Sequence, residues 1–295
     1  MQIVSRSSLI FHLAIAAITG VGVGVAASAV SDYGWVMGLA ALLAGIWMVL
    51  WKPLRRRRAV QREMPEVRAW LERNYPWSSA IDLVRFEADV KILLDEWTFE
   101  GVGGVDVTPK MRLAVAGGAA LLLHGRPEWE LPRRQSVLFY PDRFDEDYLL
   151  NDEAAFDGMA HQQGPVILSA AAVEESWAHP TDGNNVVLHE LAHLLDYKNA
   201  FADGVPSLLD PGSTVAWQEL VRKEMKRVRL GRSMLRRYAA RNPAEFFAVA
   251  VENYFERPDV MAERHPELYA ALKALFQLDL LAGVQVAAQG QQSEA

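Results

Sequence analysis

The sequence contains no cysteine. Disulfide bonds are therefore excluded, and so are metal sites built from thiolates. A metal ion in this chain would have to be held by histidine and carboxylate side chains, and only seven histidines are present. A pair of histidines at ligand spacing, together with a carboxylate, is thus the pattern that would indicate a metal site.

Positive charge is scarce over most of the chain. The sequence has 30 Lys and Arg against 37 Asp and Glu, which gives a net charge of −7. Lys52 and Arg55 to Arg58 form one basic cluster, which leaves 25 basic residues (30 minus 5) for the rest of the chain. Contacts with phosphates supply most of the affinity for nucleic acids. We therefore expect no nucleic-acid partner.

Charged residues are also missing from most of the N-terminal region. Residues 9–30 contain no charged residue and one histidine, and residues 33–51 contain no charged residue. At ~1.5 Å rise per residue, each stretch is about long enough to cross a ~30 Å hydrocarbon core. Only Ser31 and Asp32 separate the two stretches, so the sequence predicts a transmembrane helical hairpin with spans 9–30 and 33–51.

Small residues repeat at four-residue spacing in the first span, at Gly20, Gly24 and Ser28. This spacing allows membrane helices to approach one another closely. A helix that is generally rich in glycine and alanine would show the same spacing, so both interpretations stay open.

The basic residues around the two spans predict their orientation. Arg6 precedes the first span, Lys52 and Arg55 to Arg58 follow the second, and the connection has no Lys or Arg. The positive-inside rule then places both ends in the cytoplasm, at the bacterial inner (cytoplasmic) membrane. Alternatively, the first stretch is a signal peptide with a cleavage site at Ala27 to Ala29. That alternative also leaves the remainder of the chain in the cytoplasm.

From Ala59 onward the composition is typical of a soluble globular protein. Short runs rich in β-forming residues predict strands at Ser136 to Tyr140 and at Val166 to Ser169. Apolar residues at helical spacing predict helices over 83–97, 111–124, 217–228 and 242–258, and one more after Pro266.

Three regions follow from these patterns. Residues 1–58 are expected to form a membrane anchor that ends in the basic cluster. Residues 59–280 are expected to form a mostly helical α+β domain with a small sheet. The polar residues 281–295 are expected to be disordered.

The segment VVLHELAHLLD, Val186 to Asp196, contains the pattern H-E-x-x-H. Residues four apart lie on one face of a helix, so His189 and His193 can bind one ion. Glu190 would then reach a water molecule on that ion. Catalytic zinc sites use three protein ligands, such as two histidines and one carboxylate, and keep one position open for water. The alternative is a chance match within a buried helix.

A third ligand is expected downstream. One class of such proteins needs Gly at 196 and His at 199, but Asp196 and Asn199 stand there, so that class is excluded. A Glu from a later helix is the other common arrangement, and Glu245 and Glu252 lie seven residues apart on one helical face. The segment Asn242 to Glu245 also looks like a helix cap with Pro at the first position. The residues alone leave both interpretations of Glu245 open.

Several segments carry a resemblance to a known family. They are GGVDVT (103–108), VLFYP (137–141), GPVILS (164–169), VVLHELAHLLD (186–196), ADGVP (202–206) and YAARNPAEFFAV (238–249). In kind and in order they resemble segments of the Mlc titration factor A family of zinc peptidases. The similarity extends from about Met64 to about Leu280. That family is similar to the catalytic domain of anthrax lethal factor, so the resemblance implies a zincin-like fold.

The resemblance also implies a role for individual residues. His189, His193 and Glu245 would bind one zinc ion per chain, and Glu190 would be the catalytic base. Tyr238 would assist at the oxyanion; without the resemblance, it would be interpreted as a half-buried loop aromatic. The best-known members of the family are soluble, and the N-terminal membrane segment of this chain departs from them.

Two functions are consistent with these features. The first is a membrane-tethered zinc metallopeptidase that hydrolyses peptide bonds in a peptide or protein substrate. The alternative is a regulatory binding protein that sequesters a transcriptional repressor, as the member that gives the family its name does, with weak or no proteolysis. An intramembrane protease is disfavoured because more than a hundred residues separate the second span from His189.

Other residues near these motifs carry secondary predictions. Asp196 is expected either to orient a ligand imidazole or to lie on the surface at a helix end. The strand Val166 to Ser169 is hypothesised to lie above the metal and to pair with an extended substrate. His161, His179 and His265 are expected to be solvated.

Overall fold

A computed structural model describes most of the chain. The described residues are 6–131, 135–141, 144–145, 155–156, 158–160, 164–196, 204–206 and 209–282. The chain divides into two compact units, Met1–Glu63 and Met64–Ala295. From residue 283 onward, the predicted disordered tail lies outside the described residues.

The first unit is a helical hairpin, formed by α1 (Arg6–Ser28) and α2 (Gly34–Val60). The two helices approach closely because small residues face one another. A Cβ atom on Gly24 would lie 3.3 Å from Gly38 Cα, and one on Gly45 would lie 2.8 Å from Ala16 Cβ. Of the two interpretations that the sequence left open for Gly20 and Gly24, the structure shows the close approach, and the partner is the second helix of the same hairpin.

Large apolar side chains cover the outside of this hairpin. Trp35 and Trp47 on α2 are exposed, as are Phe11, Ile18 and Val25 on α1. Mean hydropathy is 2.0 for the first helix and 1.9 for the second, and both are long enough to cross a membrane. The prediction of two long apolar helices is confirmed, and the crossing of a membrane stays a prediction.

The second unit is mostly helical. Its α-helices are α3 (Pro65–Asn74), α4 (Leu83–Glu96), α5 (Pro109–Leu123), α6 (Ala170–Ala178), α7 (Val186–Asp196), α8 (Thr214–Arg229), α9 (Pro243–Glu256), α10 (Pro258–Arg264) and α11 (Pro266–Phe276). Short 3-10 helices occupy Ser78–Ala80, Pro211–Ser213 and Arg237–Ala240. The five helices that apolar spacing predicts in this region are all present.

Side-chain caps explain where several of these helices begin. Asp82 accepts the backbone N–H of Arg85 at 3.2 Å and starts α4, and Thr108 does the same for Met111 and α5 at 3.2 Å. Proline at the first position starts α5, α9, α10 and α11, where no N–H is needed.

A small sheet completes the second unit. Its strands are β1 (Thr98–Gly101), β2 (Ser136–Tyr140), β5 (Gly158–Ala160) and β6 (Val166–Ser169), in the order β1-β2-β6-β5. The first three strands in this order are parallel, and β5 is antiparallel to β6. The strands β3 (Phe144–Asp145) and β4 (Ala155–Phe156) form a separate antiparallel pair. The prediction of a mostly helical α+β domain with a small sheet is confirmed.

The position of β6 corrects one prediction. Val166 to Ser169 pairs with β2 on one side and with β5 on the other. Its backbone hydrogen-bonding groups are therefore engaged on both edges, and a substrate strand cannot be added there. The hypothesis that this strand pairs with the substrate is wrong; in the described part of the chain, the last strand on that side of the sheet is β5.

The core of the second unit brings α7 and α9 together. Both helices are almost entirely buried, and they pack against each other. α7 also packs against α5, where a Cβ atom on Gly118 would lie 2.8 Å from a Val187 methyl group. The H-E-x-x-H segment thus sits on a central helix whose orientation is fixed by its neighbours.

Candidate metal centre

The start of α7 determines where its two histidines lie. Asn185 caps the helix, because its side-chain oxygen accepts the Leu188 N–H at 3.0 Å and its backbone oxygen accepts the His189 N–H at 2.9 Å. His189 and His193 follow in successive turns on one face. Their ring centroids are 5.0 Å apart, and both side chains are buried.

The first turn of α9 brings Glu245 to these histidines. Asn242 caps α9, and its side-chain oxygen accepts the Glu245 N–H at 2.9 Å. The Glu245 carboxylate points to α7, where its Oε2 lies 2.9 Å from His189 Nε2 and 3.6 Å from His193 Nε2. The cap and the ligand interpretations are therefore compatible, since Asn242 supplies the cap and leaves the Glu245 carboxylate available to the site.

These three side chains form a group that fits a metal ion. One ligand atom from each of His189, His193 and Glu245 lies within 4.8 Å of the others. Two imidazole nitrogens and one carboxylate oxygen are the donor set of a catalytic zinc site. In the described residues, this is the one group of three or more His, Asp or Glu side chains with such a geometry.

Hydrogen bonds and opposite charges link these side chains to one another. Burial alone would lower the pKa of His189, but hydrogen bonds to Glu245 and Glu252 outweigh it and raise the pKa to about 10. Burial would raise the pKa of Glu245, but the hydrogen bonds and the positive charges of His189 and His193 lower it. A bound cation would take the place of the shared protons between these side chains.

Glu252, the other candidate ligand, contacts the opposite nitrogen of the same ring. Its Oε1 lies 2.6 Å from His189 Nδ1, and its side chain is fully buried. A carboxylate at this nitrogen fixes the orientation and the tautomer of a histidine whose other nitrogen binds a metal. Glu252 is therefore positioned to orient His189, whereas Glu245 stays the candidate for the third ligand.

Arg236 holds Glu252 in turn. Its Nη1 donates to Glu252 Oε2 at 2.6 Å, and its Nη2 donates to Oε1 at 2.9 Å. Burial would raise the pKa of Glu252, but the Arg236 charge and the hydrogen bond with His189 lower it. Arg236 also donates to the side chain of Asn184 at 2.7 Å, just before α7 begins. The guanidinium thus connects the start of α7 to α9.

Glu190 follows His189 on α7 and is buried. Burial raises its pKa, and the nearby positive charges of His189 and His193 reduce this increase. A buried carboxylate with a raised pKa binds a proton more strongly than a solvated carboxylate does. This property suits a group that takes a proton during a reaction.

Tyr238 lies at the edge of the group, on the 3-10 helix Arg237–Ala240. Its ring is half-buried, with its centroid 5.9 Å from that of His189. Burial and the charge of Glu245 raise its pKa to about 12. The phenol is therefore protonated at neutral pH and can donate a hydrogen bond, while its oxygen accepts one from Arg241 Nη1 at 3.3 Å.

The secondary predictions have mixed outcomes. Asp196 is fully buried and accepts the Gly204 N–H at 2.8 Å, so its expected surface position is wrong and its contact with an imidazole stays a prediction. His265 is also buried, with its Nδ1 2.5 Å from Glu224 Oε2, so the expectation that it is solvated is wrong. His179 is exposed as expected, and His161 lies outside the described residues.

Sequence reasoning missed three residues around the centre. Arg236 has no local signal, because its partner Glu252 is brought to it only by the fold. Asn185 carries a local signal, because an Asn directly before an apolar helical segment is a common helix cap. Glu256 accepts from Asn185 Nδ2 and from the Gly183 N–H, both at 2.9 Å, and nothing in its sequence neighbourhood indicates this buried contact.

Comparison with known proteins agrees with this geometry. Residues 51–277 match the family described as glucose-regulated metallo-peptidase M90. Mlc titration factor A of Edwardsiella ictaluri is 32% identical over 200 residues, which cover 59% of this chain and 72% of that protein. Mlc titration factor A of Yersinia enterocolitica is 29% identical over 211 residues, 64% of this chain and 76% of that protein.

A longer match has no functional name. An uncharacterised protein of Synechocystis is 27% identical over 262 residues, which cover 82% of this chain and 95% of that protein. The matched family region contains α7 and α9 and therefore all three candidate ligands. This chain belongs to the glucose-regulated metallo-peptidase M90 family.

Proposed function

We propose that this chain is a zinc-dependent peptidase with a zincin-like fold, tethered to the bacterial cytoplasmic membrane with its second unit in the cytoplasm. The observation that carries the proposal is the convergence of His189, His193 and Glu245 within 4.8 Å of one another. Glu190 is buried beside these ligands, and Tyr238 lies at their edge. Membership of a metallo-peptidase family supports this assignment.

Each residue of the centre has a separate chemical role in this proposal. His189, His193 and Glu245 would hold a zinc ion, which would supply a Lewis acid and lower the pKa of a water molecule to about 7. Glu190 takes a proton from the attacking water and passes it to the leaving amine. Tyr238 donates a hydrogen bond to the oxygen that becomes negative during the attack.

The sheet supports a way of binding an extended substrate. β5 is the last strand of the sheet in the described part of the chain, and it packs against α7. An extended peptide that added to β5 would run beside the helix that carries Glu190. We therefore assign to β5 the pairing that the sequence suggested for β6.

The membrane attachment rests on the first unit. Its two helices are apolar over lengths that match a bilayer, and their large apolar side chains face outward. The basic residues at both ends of the hairpin favour a cytoplasmic location for them. The tether would restrict the peptidase to substrates that come close to the membrane.

A second function is favoured by the names of the relatives. Two of them are called Mlc titration factor A, which points to binding of the Mlc repressor by those proteins. A regulatory role in binding a transcriptional repressor is therefore the alternative for this chain. The alternative predicts that partner binding survives when Glu190 is replaced, because binding does not need a proton acceptor.

The first test measures zinc and hydrolysis on the full chain in a neutral detergent. We expect about one zinc per chain. Glu245→Ala should lose most of the zinc, whereas Glu263→Ala, a change of an exposed Glu on α10, should not. Glu190→Gln should keep zinc and lose peptide hydrolysis by about a thousandfold.

Two results would contradict the proposal. A folded wild-type chain that takes up no zinc when zinc is supplied would exclude a metal centre. Equal hydrolysis by the wild type and by Glu190→Gln would exclude Glu190 as the base. Zinc uptake without any hydrolysis, together with binding of a repressor, would favour the alternative function.

A further inference from the structure

One segment of the second unit has an unusual charge. Residues 225–244 contain seven basic residues and no Asp or Glu. The remaining 275 residues contain 23 basic residues (30 minus 7) and all 37 acidic ones. An acidic chain thus carries one concentrated positive segment, and this segment leads directly to Glu245.

The fold separates these basic residues into two groups. Arg227 and Arg236 turn inward, where they pair with the buried carboxylates of Glu224 and Glu252. The other five are exposed, and we call them the basic rim: Lys226, Arg229, Arg232, Arg237 and Arg241.

The basic rim extends to the metal centre. Arg241 Nη1 donates to the Tyr238 hydroxyl at 3.3 Å, and the Tyr238 ring lies 5.9 Å from that of His189. Arg229 Nη2 donates to the Ala240 carbonyl at 3.5 Å, which joins the end of α8 to the 3-10 helix of Tyr238. The end of α8, where the basic rim begins, therefore contacts the 3-10 helix that carries Tyr238 to the edge of the centre.

Helix stability accounts for only part of the rim. Lys226 and Arg229 lie in the last turn of α8, where positive charge complements the helix dipole. Arg232, Arg237 and Arg241 lie beyond that helix and do not belong to the last turn of any other α-helix. A cluster of exposed positive charges in an otherwise acidic chain favours binding of an anionic partner.

We propose that the basic rim binds acidic side chains of the substrate, so that the centre acts on acidic peptide segments. This inference rests on the proposed peptidase function. A peptide fits the surface better than a lipid or a nucleic acid does, because Arg241 contacts Tyr238, a group placed to contact the scissile peptide. The 37 acidic residues elsewhere would repel a polyanion that extended beyond the rim.

The test compares two labelled peptides that differ only in charge, one with four glutamates and one with four glutamines at the same positions. Binding is measured by fluorescence anisotropy on the full chain in a neutral detergent. All proteins carry Glu190→Gln, which prevents turnover. At low salt we expect the acidic peptide to bind about tenfold more tightly than the neutral one, with the difference lost at high salt.

Matched double variants assign this preference to the rim. Arg232→Gln with Arg237→Gln should weaken binding of the acidic peptide about fivefold and leave the neutral peptide unchanged. Arg73→Gln with Arg112→Gln alters net charge by the same amount at exposed positions on α3 and α5 and should have little effect. Neither pair includes a residue of the metal centre.

The outcomes separate this inference from the proposed function. Equal binding of both peptides, or equal losses in both double variants, would overturn it. Tighter rim-dependent binding of phosphatidylglycerol vesicles or single-stranded DNA than of the acidic peptide would assign the rim to those partners instead. An acidic preference in binding, with no hydrolysis by the wild-type chain, would refute the peptidase and leave the rim assignment standing. Hydrolysis of the acidic and the neutral peptide at equal rates would support the peptidase and refute the rim assignment.

Discussion

The imidazole of His189 is held at both of its ring nitrogens by carboxylates from α9. Glu245 contacts Nε2 and Glu252 contacts Nδ1. Because Arg236 donates two hydrogen bonds to Glu252, protein groups fix the orientation of the His189 ring. A ligand that is already oriented loses less conformational freedom on binding a metal.

Arg236 should therefore control zinc affinity without touching the ion. Arg236→Gln removes the two-point contact and leaves the Glu252 carboxylate buried without its cation. We expect zinc affinity to fall at least tenfold, measured by competition with a chelator. Arg237→Gln, at the exposed neighbouring position, is the control and should keep wild-type affinity. Unchanged affinity in a folded Arg236 variant would show that Glu252 needs no guanidinium to hold His189.

Glu256 should make the second unit less stable at alkaline pH. Burial raises its pKa from 4.5 to about 8. Between these two values the folded state holds a proton that the unfolded state releases. The contribution of Glu256 to the free energy of unfolding is therefore fully present below about pH 4.5 and is lost as the pH rises through about 8. The loss should be on the order of a few kcal/mol.

Thermal unfolding of the full chain between these pH values measures this effect. Glu256→Gln cannot ionise, so its stability should change less with pH than that of the wild type. A wild type and a variant with parallel pH profiles would contradict the assignment to Glu256.

The sequence could name the residues of the centre but not their contacts. His189, Glu190 and His193 follow from spacing within one helix, which is a local property. Glu245 and Glu252 share a helical face, so spacing could not decide which of them meets Nε2. That choice depends on how α9 is rotated and shifted against α7, which only tertiary packing determines.

At the scale of elements, local signals predicted strands and helices well. The strands Ser136–Tyr140 and Val166–Ser169 were predicted with their observed bounds. The pairing of β6 was not, because pairing is a non-local property. β5 has the sequence Gly-Met-Ala, without β-branched or aromatic residues, so nothing local indicated the strand that covers β6.

The hairpin should depend on Gly38. A Cβ atom there would lie 2.6 Å from Gly24 Cα and 2.8 Å from Gly20 O, so Gly38→Leu should force α1 and α2 apart. The measurement uses Ala16→Cys with Gly45→Cys, which should form a disulfide bond in a chain that has no other cysteine. Adding Gly38→Leu should reduce this bond strongly.

Gly22→Leu is the matched control for the hairpin. Nothing lies within 4 Å of a Cβ atom at Gly22, so the same enlargement should leave the disulfide yield unchanged. Equal yields with both leucines would show that the helices do not rely on close contact at Gly38.

At the scale of the whole molecule, the distribution of charge along the chain predicts features that the fold of either unit alone does not show. The apolar stretches and the basic residues around them predict a membrane anchor and its orientation. The run of basic residues at 225–244 can be read in the sequence, but which of them are exposed cannot, because only the fold pairs Arg227 and Arg236 with buried carboxylates.

The orientation of the chain can be tested with reporter fusions. A phosphatase that is active only outside the cytoplasm should be inactive when fused after Ala295. The same reporter should be active when inserted between Ser31 and Asp32, because that connection is expected to lie outside. An active fusion at Ala295 would place the peptidase unit on the other side of the membrane and contradict the proposed location.

The separation of the ligands in the chain has a consequence for newly made protein. His189 and Glu245 are 56 residues apart, and more than a hundred residues separate α2 from α7. Ribosomes produce the chain from its N-terminus at about 5–20 residues per second. The hairpin therefore emerges well before the histidines, and the histidines emerge before their carboxylate. A chain still under synthesis would therefore carry the proposed anchor before its candidate metal centre is complete, so the proposed peptidase would become active only after it had reached the membrane.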